Sequence, residues 1–101
     1  MKDAALRQWL GSLDELVTYA EAMRALGFAH LQDLTQALEI LMEQDVAAGQ
    51  PLVAAMVVSR TLPLPNRGFF DKARGLGFVF EDEPAFHAAQ LAALGKPAPK
   101  P

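Results

Sequence analysis

The predicted fold depends on one apolar stretch near the middle of the chain, Leu52-Val53-Ala54-Ala55-Met56-Val57-Val58-Ser59. This stretch is rich in valine, carries no charge, and lies between Pro51 and the proline-rich residues 62–65. Its short length and these boundaries favour a buried β-strand over a helix. A second apolar run, Phe78-Val79-Phe80, predicts a short strand that pairs with residues 53–58 as a hairpin.

Three helices are predicted before this stretch, over residues 4–10, 13–26 and 31–48. Ser12 and Glu15 fit a capping box, in which each side chain satisfies a backbone amide of the other residue, and this predicts the start of the second helix. Apolar residues recur at helical spacing in the second and third helices. Gly27 and Gly49 follow them and suit helix ends, because glycine adopts the left-handed conformation without strain.

Two further helices are predicted after the stretch, over residues 68–77 and 84–94. Asp82 and Glu83 favour the start of the last helix, because acidic side chains stabilise the positive end of the helix dipole. Residues 96–101 contain three prolines and no large apolar side chain, which predicts a disordered tail. We therefore expect one globular domain over residues 1–95.

This order of elements predicts the α+β class: a mostly helical single domain with a small two-stranded hairpin. Helices that precede a hairpin also suggest a winged-helix-like arrangement. The sequence contains no internal repeat and no linker that would divide it into two domains.

Half of the chain resembles a small winged-helix-like module of uncharacterised bacterial proteins, some of which are fused to nuclease domains. The resemblance is carried by Gly49-Gln50-Pro51 before the apolar stretch, by Leu64-Pro65-Asn66-Arg67-Gly68-Phe69-Phe70, and by Ala73-Arg74-Gly75-Leu76-Gly77. These motifs are structural. The resemblance implies a compact domain that assists another protein, and it implies no catalytic residue.

Composition limits the class of protein further. The chain has 101 residues and no cysteine, which excludes disulfides, a thiolate nucleophile and a cysteine-ligated zinc site. Its charged N-terminus does not fit an export signal, and its longest apolar run, residues 52–58, is too short to cross a bilayer. We expect a cytoplasmic protein that does not enter a membrane.

Residues for catalysis are scarce. The only histidines are His30 and His87, and the two serines do not follow a glycine-rich turn that would position a nucleophile. Glu83 and His87 are four residues apart on the last predicted helix, and we interpret them as a surface pair because a metal site needs further ligands. We therefore predict no enzymatic activity, no cofactor and no metal.

Basic side chains are concentrated in residues 60–74. The net charge of the chain is −3, but this window contains four cations and only one acid, Asp71. We also expect unpaired amides of residues 69–71 at the start of a short helix, which together with these cations would attract an anion. The candidate residues for an anion or nucleic-acid contact are Arg60, Arg67, Lys72 and Arg74. Nearby phenylalanines are interpreted as core rather than as a base-stacking surface.

Helix 31–48 contains no lysine or arginine and four acids, including Asp45. Such a helix would be repelled by DNA phosphates in a major groove, which argues against sequence-specific readout. The candidate residues of a protein-binding face on this helix are Asp33, Gln36, Glu39 and Glu43. The first functional hypothesis is a small non-catalytic protein-interaction module. The alternative is a winged-helix-like nucleic-acid-binding protein that uses the basic loop, and the oligomeric state is left open.

Overall fold

Helices make up most of the structure. The computed structural model describes residues 2–96, with side chains from Asp3 onward. Within this part of the chain there are five α-helices, α1 to α5, one 3₁₀ helix, and two short strands, β1 and β2. In chain order they are α1 (Lys2–Ser12), β1 (Val17–Thr18), α2 (Tyr19–Leu26), α3 (Leu31–Ala48), the 3₁₀ helix (Val53–Met56), β2 (Val57–Val58), α4 (Arg67–Gly75) and α5 (Glu83–Ala93).

The apolar stretch 52–59 is buried as predicted, but most of it is not a strand. Val53–Met56 form the 3₁₀ helix, and only Val57–Val58 form a strand. The amides that a strand would use are taken by side chains: Leu52 N–H donates to Gln90 at 2.9 Å, and Val53 N–H donates to Asp45 at 3.0 Å. A run buried on all sides is apolar at every position, so its periodicity does not separate strand from helix.

The predicted hairpin is also wrong. β2 pairs with β1 in parallel, with Val17 opposite Val57 and Thr18 opposite Val58. Parallel strands require a crossover connection, and α2 and α3 provide it here. Residues 78–80 form no strand, because Phe78 N–H instead closes the end of α4 on Ala73 O at 3.1 Å.

The first two predicted helices differ from the structure at their junction. α1 continues through Gly11 to Ser12, and the helix predicted from residue 13 begins only at Tyr19. The capping box belongs to Thr18 and Glu21: Glu21 N–H donates to Thr18 Oγ1 at 3.1 Å, and Thr18 N–H donates to Glu21 Oε1 at 2.9 Å. Both sequence pairs fit the motif, and β1 pairing requires residues 17 and 18 to be extended.

The other predicted helices are confirmed. α3 has the predicted bounds, and α4 and α5 each differ from prediction by one or two residues at an end. Gly27 and Gly49 end their helices at φ 73° and 68°, in the left-handed region expected of glycine. The Asp82 side chain accepts from Ala85 N–H at 3.0 Å and caps α5. Helix bounds that depend on local signals are therefore predicted well.

One buried ion pair connects the N-terminal helix to the centre of the fold. Asp45, on the inner side of α3, accepts from Arg7 of α1 at 2.6 Å and from Val53 N–H at 3.0 Å. Arg7 also donates to Leu41 O at 3.3 Å. Only the Asp45 side of this pair is buried, since the Arg7 side chain is 37% exposed. The core is formed by aliphatic and aromatic side chains, among them Leu6, Leu10, Leu34, Leu41, Leu52, Met56, Phe70 and Leu91.

Lys96 belongs to the ordered part of the chain, although it was predicted to begin the tail. Its ammonium donates to the carbonyls of Gly11 at 3.1 Å and Leu13 at 2.6 Å, where α1 ends. A cation suits this position because α1 has no basic residue in its last turn. Residues 97–101, the rest of the predicted tail, lie outside the described residues. None of the helices in residues 2–96 has the length and apolar character needed to cross a membrane.

We predict that Asp45→Ala lowers the free energy of unfolding by about 2–4 kcal/mol, because it leaves Arg7 and Val53 N–H without their buried acceptor. Urea unfolding followed by circular dichroism at neutral pH measures this loss. Asp33→Ala is the matched control, since it removes an exposed acid from the first turn of the same helix and should lower stability by no more than about 1 kcal/mol, the contribution of its contact with the helix dipole. Equal effects of the two substitutions would contradict the role given to Asp45.

Candidate functional site

The exposed side of α3 brings the four predicted protein-binding residues together. Gln36 and Glu43 lie near the middle of this side, and Asp33 and Glu39 lie toward its two edges, as their spacing of three or four residues requires. Three of these side chains are exposed and Glu39 is half-exposed. The opposite side of the helix is buried through residues such as Leu34 and Leu41.

Ile40 is a functional candidate that sequence reasoning missed. It lies one turn after Gln36 and one turn before Glu43, on the part of the polar side of α3 nearest Asp33, and is 40% exposed. The signal was present in the sequence, because Ile40 departs from the apolar spacing that Leu34, Leu38 and Leu41 follow. Single exposed aliphatic residues are common on protein surfaces, so Ile40 is a candidate because of the acidic and polar residues next to it and not because of its exposure alone.

The fourth acid of α3 does not contribute to this face. Asp45 is buried against Arg7 and the 3₁₀ helix, so the sequence-based expectation that it presents charge to solvent is wrong. The face has three carboxylates, from Asp33, Glu39 and Glu43. Its negative charge is lower than the sequence alone suggests.

The two predicted sites touch each other. Lys72 of α4, assigned to the basic site, donates to Glu43 of the acidic face at 2.5 Å. The hydrogen bond to Glu43 raises the pKa of the Lys72 ammonium, and the nearby negative charges of Glu43 and Glu39 act in the same direction. Lys72 is therefore engaged in joining α4 to α3.

Arg74 is also engaged within the fold. Its guanidinium donates to Glu83 at 3.1 Å and lies over the ring of Phe80, 4.3 Å from the ring centre. A weaker contact joins it to Asp71 at 4.0 Å. These contacts neutralise a cation that the sequence suggested for polyanion binding.

Two of the four predicted basic residues are left for an anion. Arg60 is exposed in the loop before α4, and Arg67, the first residue of α4, extends into solvent beside Asp71 at 3.6 Å. A cleft of about 270 Å³ opens here, and its walls include both Arg67 and the acid Glu83. This arrangement offers an anion little net positive charge.

The expected free amides at residues 69–71 are not found. α4 starts two residues earlier than that proposal required, so Phe70 and Asp71 lie inside the helix. Phe69 N–H donates to Asn66 O at 3.0 Å. The core interpretation of the phenylalanines is confirmed for Phe69 and Phe70, and Phe78 and Phe80 are partly buried and pack against the same core.

His87 is not part of a surface pair with Glu83. Its imidazole is fully buried and bonds through Nε2 to Ala55 O at 2.8 Å, while Nδ1 has no hydrogen-bond partner within residues 2–96. Because a carbonyl only accepts, Nε2 carries the proton in the neutral ring. Burial lowers the pKa of His87, since the charged ring would be desolvated. His87 therefore acts structurally, attaching α5 to the 3₁₀ helix.

No metal site is assembled in the described part of the chain. Among residues 2–96, no three histidine, aspartate or glutamate side chains come together in a way that could hold a metal ion.

Comparisons with known proteins do not assign a function to these surfaces. No protein-family model, curated protein or solved structure matches the chain. The resemblance to a winged-helix-like bacterial module stays a prediction.

We predict that acidification below about pH 6.5, the ordinary pKa of histidine, destabilises the protein through His87. The unfolded chain takes up a proton there, whereas the folded chain holds the ring neutral until lower pH. The stability that His87 contributes is therefore present above that pKa and is lost as the pH falls toward the lowered pKa of the folded state, with a slope of at most about 1.4 kcal/mol per pH unit.

Thermal or urea unfolding between about pH 7.5 and 5.5, above the range where ordinary carboxylates titrate, measures this dependence. His30→Gln is the control, because His30 is exposed and His87 is left unchanged. A wild-type stability that is constant over this range would show that His87 is not held neutral by the fold.

Proposed function

We propose that this protein is a small, non-catalytic protein-interaction module of the cytoplasm that binds a basic partner protein through the exposed side of α3. The observation that carries this proposal is the position of Ile40. The exposed side of α3 combines this aliphatic side chain with neighbouring polar and acidic residues, and protein interfaces combine apolar and polar contacts in the same way.

The negative charge of the exposed side of α3 supports a basic partner. α3 contains no lysine or arginine, and Asp33 and Glu39 form no ion pair within residues 2–96. Glu43 shares its charge with Lys72 at one edge of the face. Complementary charge accelerates association and selects among partners more than it raises affinity, so Ile40 would supply much of the binding energy.

The alternative, nucleic-acid binding through the basic loop, has less support. Lys72 and Arg74 are held by Glu43 and Glu83, which leaves Arg60 and Arg67 as the cations available to phosphates. Non-specific affinity for DNA depends on the number of phosphates that a protein neutralises. The winged-helix-like assignment is part of this alternative, and it now rests on three helices that precede β2, without the predicted hairpin.

We predict that the double substitution Glu39→Lys with Ile40→Ser reduces partner binding by about tenfold or more, because it reverses a charge and removes the exposed aliphatic side chain of the face. Tagged full-length protein is incubated with an extract of the native host, and retained proteins are quantified by mass spectrometry. Proteins that bind wild type and are lost with the variant should carry net positive charge.

The matched control is Glu15→Lys with Leu62→Ser, which makes the same kinds of change at exposed positions away from α3. The control should retain the wild-type set of proteins, and both variants should keep the wild-type circular dichroism spectrum. If the Glu39 and Ile40 variant retains the same proteins as wild type, α3 is not the binding face.

For the alternative function, we predict that wild-type protein at micromolar concentration gives no mobility shift of duplex DNA at moderate salt. Two available cations would give a log–log salt dependence of only about −2 at most, which corresponds to weak binding. A strong, salt-sensitive shift that is lost in Arg60→Glu with Arg67→Glu would instead establish the basic loop as the functional site.

A further inference from the structure

One cation contacts the exposed side of α3 from the neighbouring helix α4. The Lys72 ammonium donates to Glu43 Oε2 at 2.5 Å, across 29 positions of sequence. The Lys72 side chain is only 25% exposed, whereas the Glu43 side chain is 53% exposed and the hydrogen bond itself lies at the surface. Another protein can therefore reach the Glu43 carboxylate while Lys72 is bound to it.

Lys72 acts on two of the three carboxylates of this face. Its hydrogen bond to Glu43 raises the pKa of the ammonium, and the negative charges of Glu43 and Glu39 act in the same direction. Because the interaction of two charges is mutual, Lys72 makes the surroundings of both acids less negative. One of the three negative charges of the face is thus compensated before any partner binds.

The other cations of α4 do not pair with this face. Arg74 pairs with Glu83 at 3.1 Å, and Arg67 lies beside Asp71 at 3.6 Å. Among the side chains of residues 3–96, Lys72 is the one cation that forms an ion pair with the exposed side of α3. Its effect on binding there can therefore be separated from that of its neighbours.

We propose that Lys72 is an intramolecular competitor of the basic partner. In the free protein its ammonium occupies Glu43, and a lysine or arginine of the partner binds that carboxylate only when Lys72 leaves it. This inference rests on the function proposed for the exposed side of α3. It names the residue of this chain that opposes binding at that face.

Charge and packing together favour displacement of Lys72 over sharing of the carboxylate. A second cation on Glu43 would lie close to the Lys72 ammonium, and like charges at short distance repel. α4 itself is held by the buried side chains of Phe69, Phe70 and Ala73. The lysine side chain is flexible, so its ammonium can leave Glu43 without movement of the helix.

Competition by Lys72 selects among basic proteins. A protein with scattered surface lysines gains little when it replaces one exposed ammonium on Glu43 by another. A partner that also contacts Ile40 and the unpaired Asp33 makes further interactions, which offset the loss of the Lys72 pair. Specificity is a difference between affinities, so a contact that weakens every competitor raises it when the correct partner has other contacts.

The test measures binding of fluorescein-labelled octalysine to the full-length protein at low ionic strength, where charge interactions are least screened. Fluorescence anisotropy gives the affinity, and amide chemical shifts of the labelled protein give the position of binding. Lys72→Met removes the ammonium and keeps an unbranched side chain that preserves the covered part of Lys72. Arg67→Met is the matched control, because it makes the same change of net charge on α4 at a residue paired with Asp71.

We expect octalysine to shift the amides of residues 33–43 in both wild type and Lys72→Met. Its affinity should rise about threefold or more in Lys72→Met, because a carboxylate is released from an exposed ion pair, and less than about twofold in Arg67→Met. Lys72→Arg keeps a cation beside Glu43 and should bind octalysine no more tightly than wild type. In a Glu43→Gln background, Lys72→Met should have no larger effect than Arg67→Met, because the contested carboxylate is absent.

Two results would overturn this proposal and leave the proposed function intact. One is binding of octalysine at the α3 face with the same affinity in wild type and Lys72→Met. The other is an equal gain in Lys72→Met and Arg67→Met, which would reflect net charge alone. Octalysine that shifts no amide of residues 33–43 in any variant would overturn both proposals, so their failures are distinguishable.

Discussion

The buried carboxylate of Asp45 is the contact on which the arrangement of the other elements depends. One oxygen accepts from Arg7 of α1 and the other from Val53 N–H, so a single side chain of α3 positions both the N-terminal helix and the start of the 3₁₀ helix. A buried ion pair adds little net stability compared with apolar packing, but removal of one partner is costly. Asp45 therefore selects one arrangement of α1, α3 and the 3₁₀ helix.

The 3₁₀ helix also positions α5 in the C-terminal half of the chain. Gln90 accepts from Leu52 N–H, and His87 donates to Ala55 O, so α5 attaches to the same four-residue helix that Asp45 holds. α5 in turn supplies Phe86, which supports the loop around Val79. The position of α5 is thus connected to Asp45 through two successive contacts, Asp45 with Val53 N–H and His87 with Ala55 O.

Some of the acidic side chains of α3 and some of the basic side chains of residues 60–74 form ion pairs within the fold. The sequence suggested an acidic helix and a basic loop as separate sites, but Lys72 joins them through Glu43. Arg74 is directed to Phe80 and Glu83. On the exposed side of α3, Asp33 and Glu39 are left without an ion pair in residues 2–96, which supports the proposal of a basic protein partner.

The sequence by itself determined the helices whose limits are local. The bounds of α3, the left-handed Gly27 and Gly49, and the entrance of α5 at Asp82 depend on spacing and conformational preference within a few residues. The candidate face of α3 followed from the same periodicity, and Ile40 was visible as its exception. The start of α2 could not be predicted from local sequence, because Ser12 with Glu15 and Thr18 with Glu21, six positions further on, both match the capping-box motif.

Only the tertiary structure decided the conformation of the apolar stretch and which charged side chains are buried or paired. Residues 52–59 are apolar throughout, so their hydrogen bonds depend on partners such as Gln90, 38 positions away. Asp45 is buried because Arg7, also 38 positions away, meets it. Whether a charged side chain stays exposed or forms a contact inside the protein depends on which distant residue meets it in the fold. The spacing of residues along the chain does not show which residue that is.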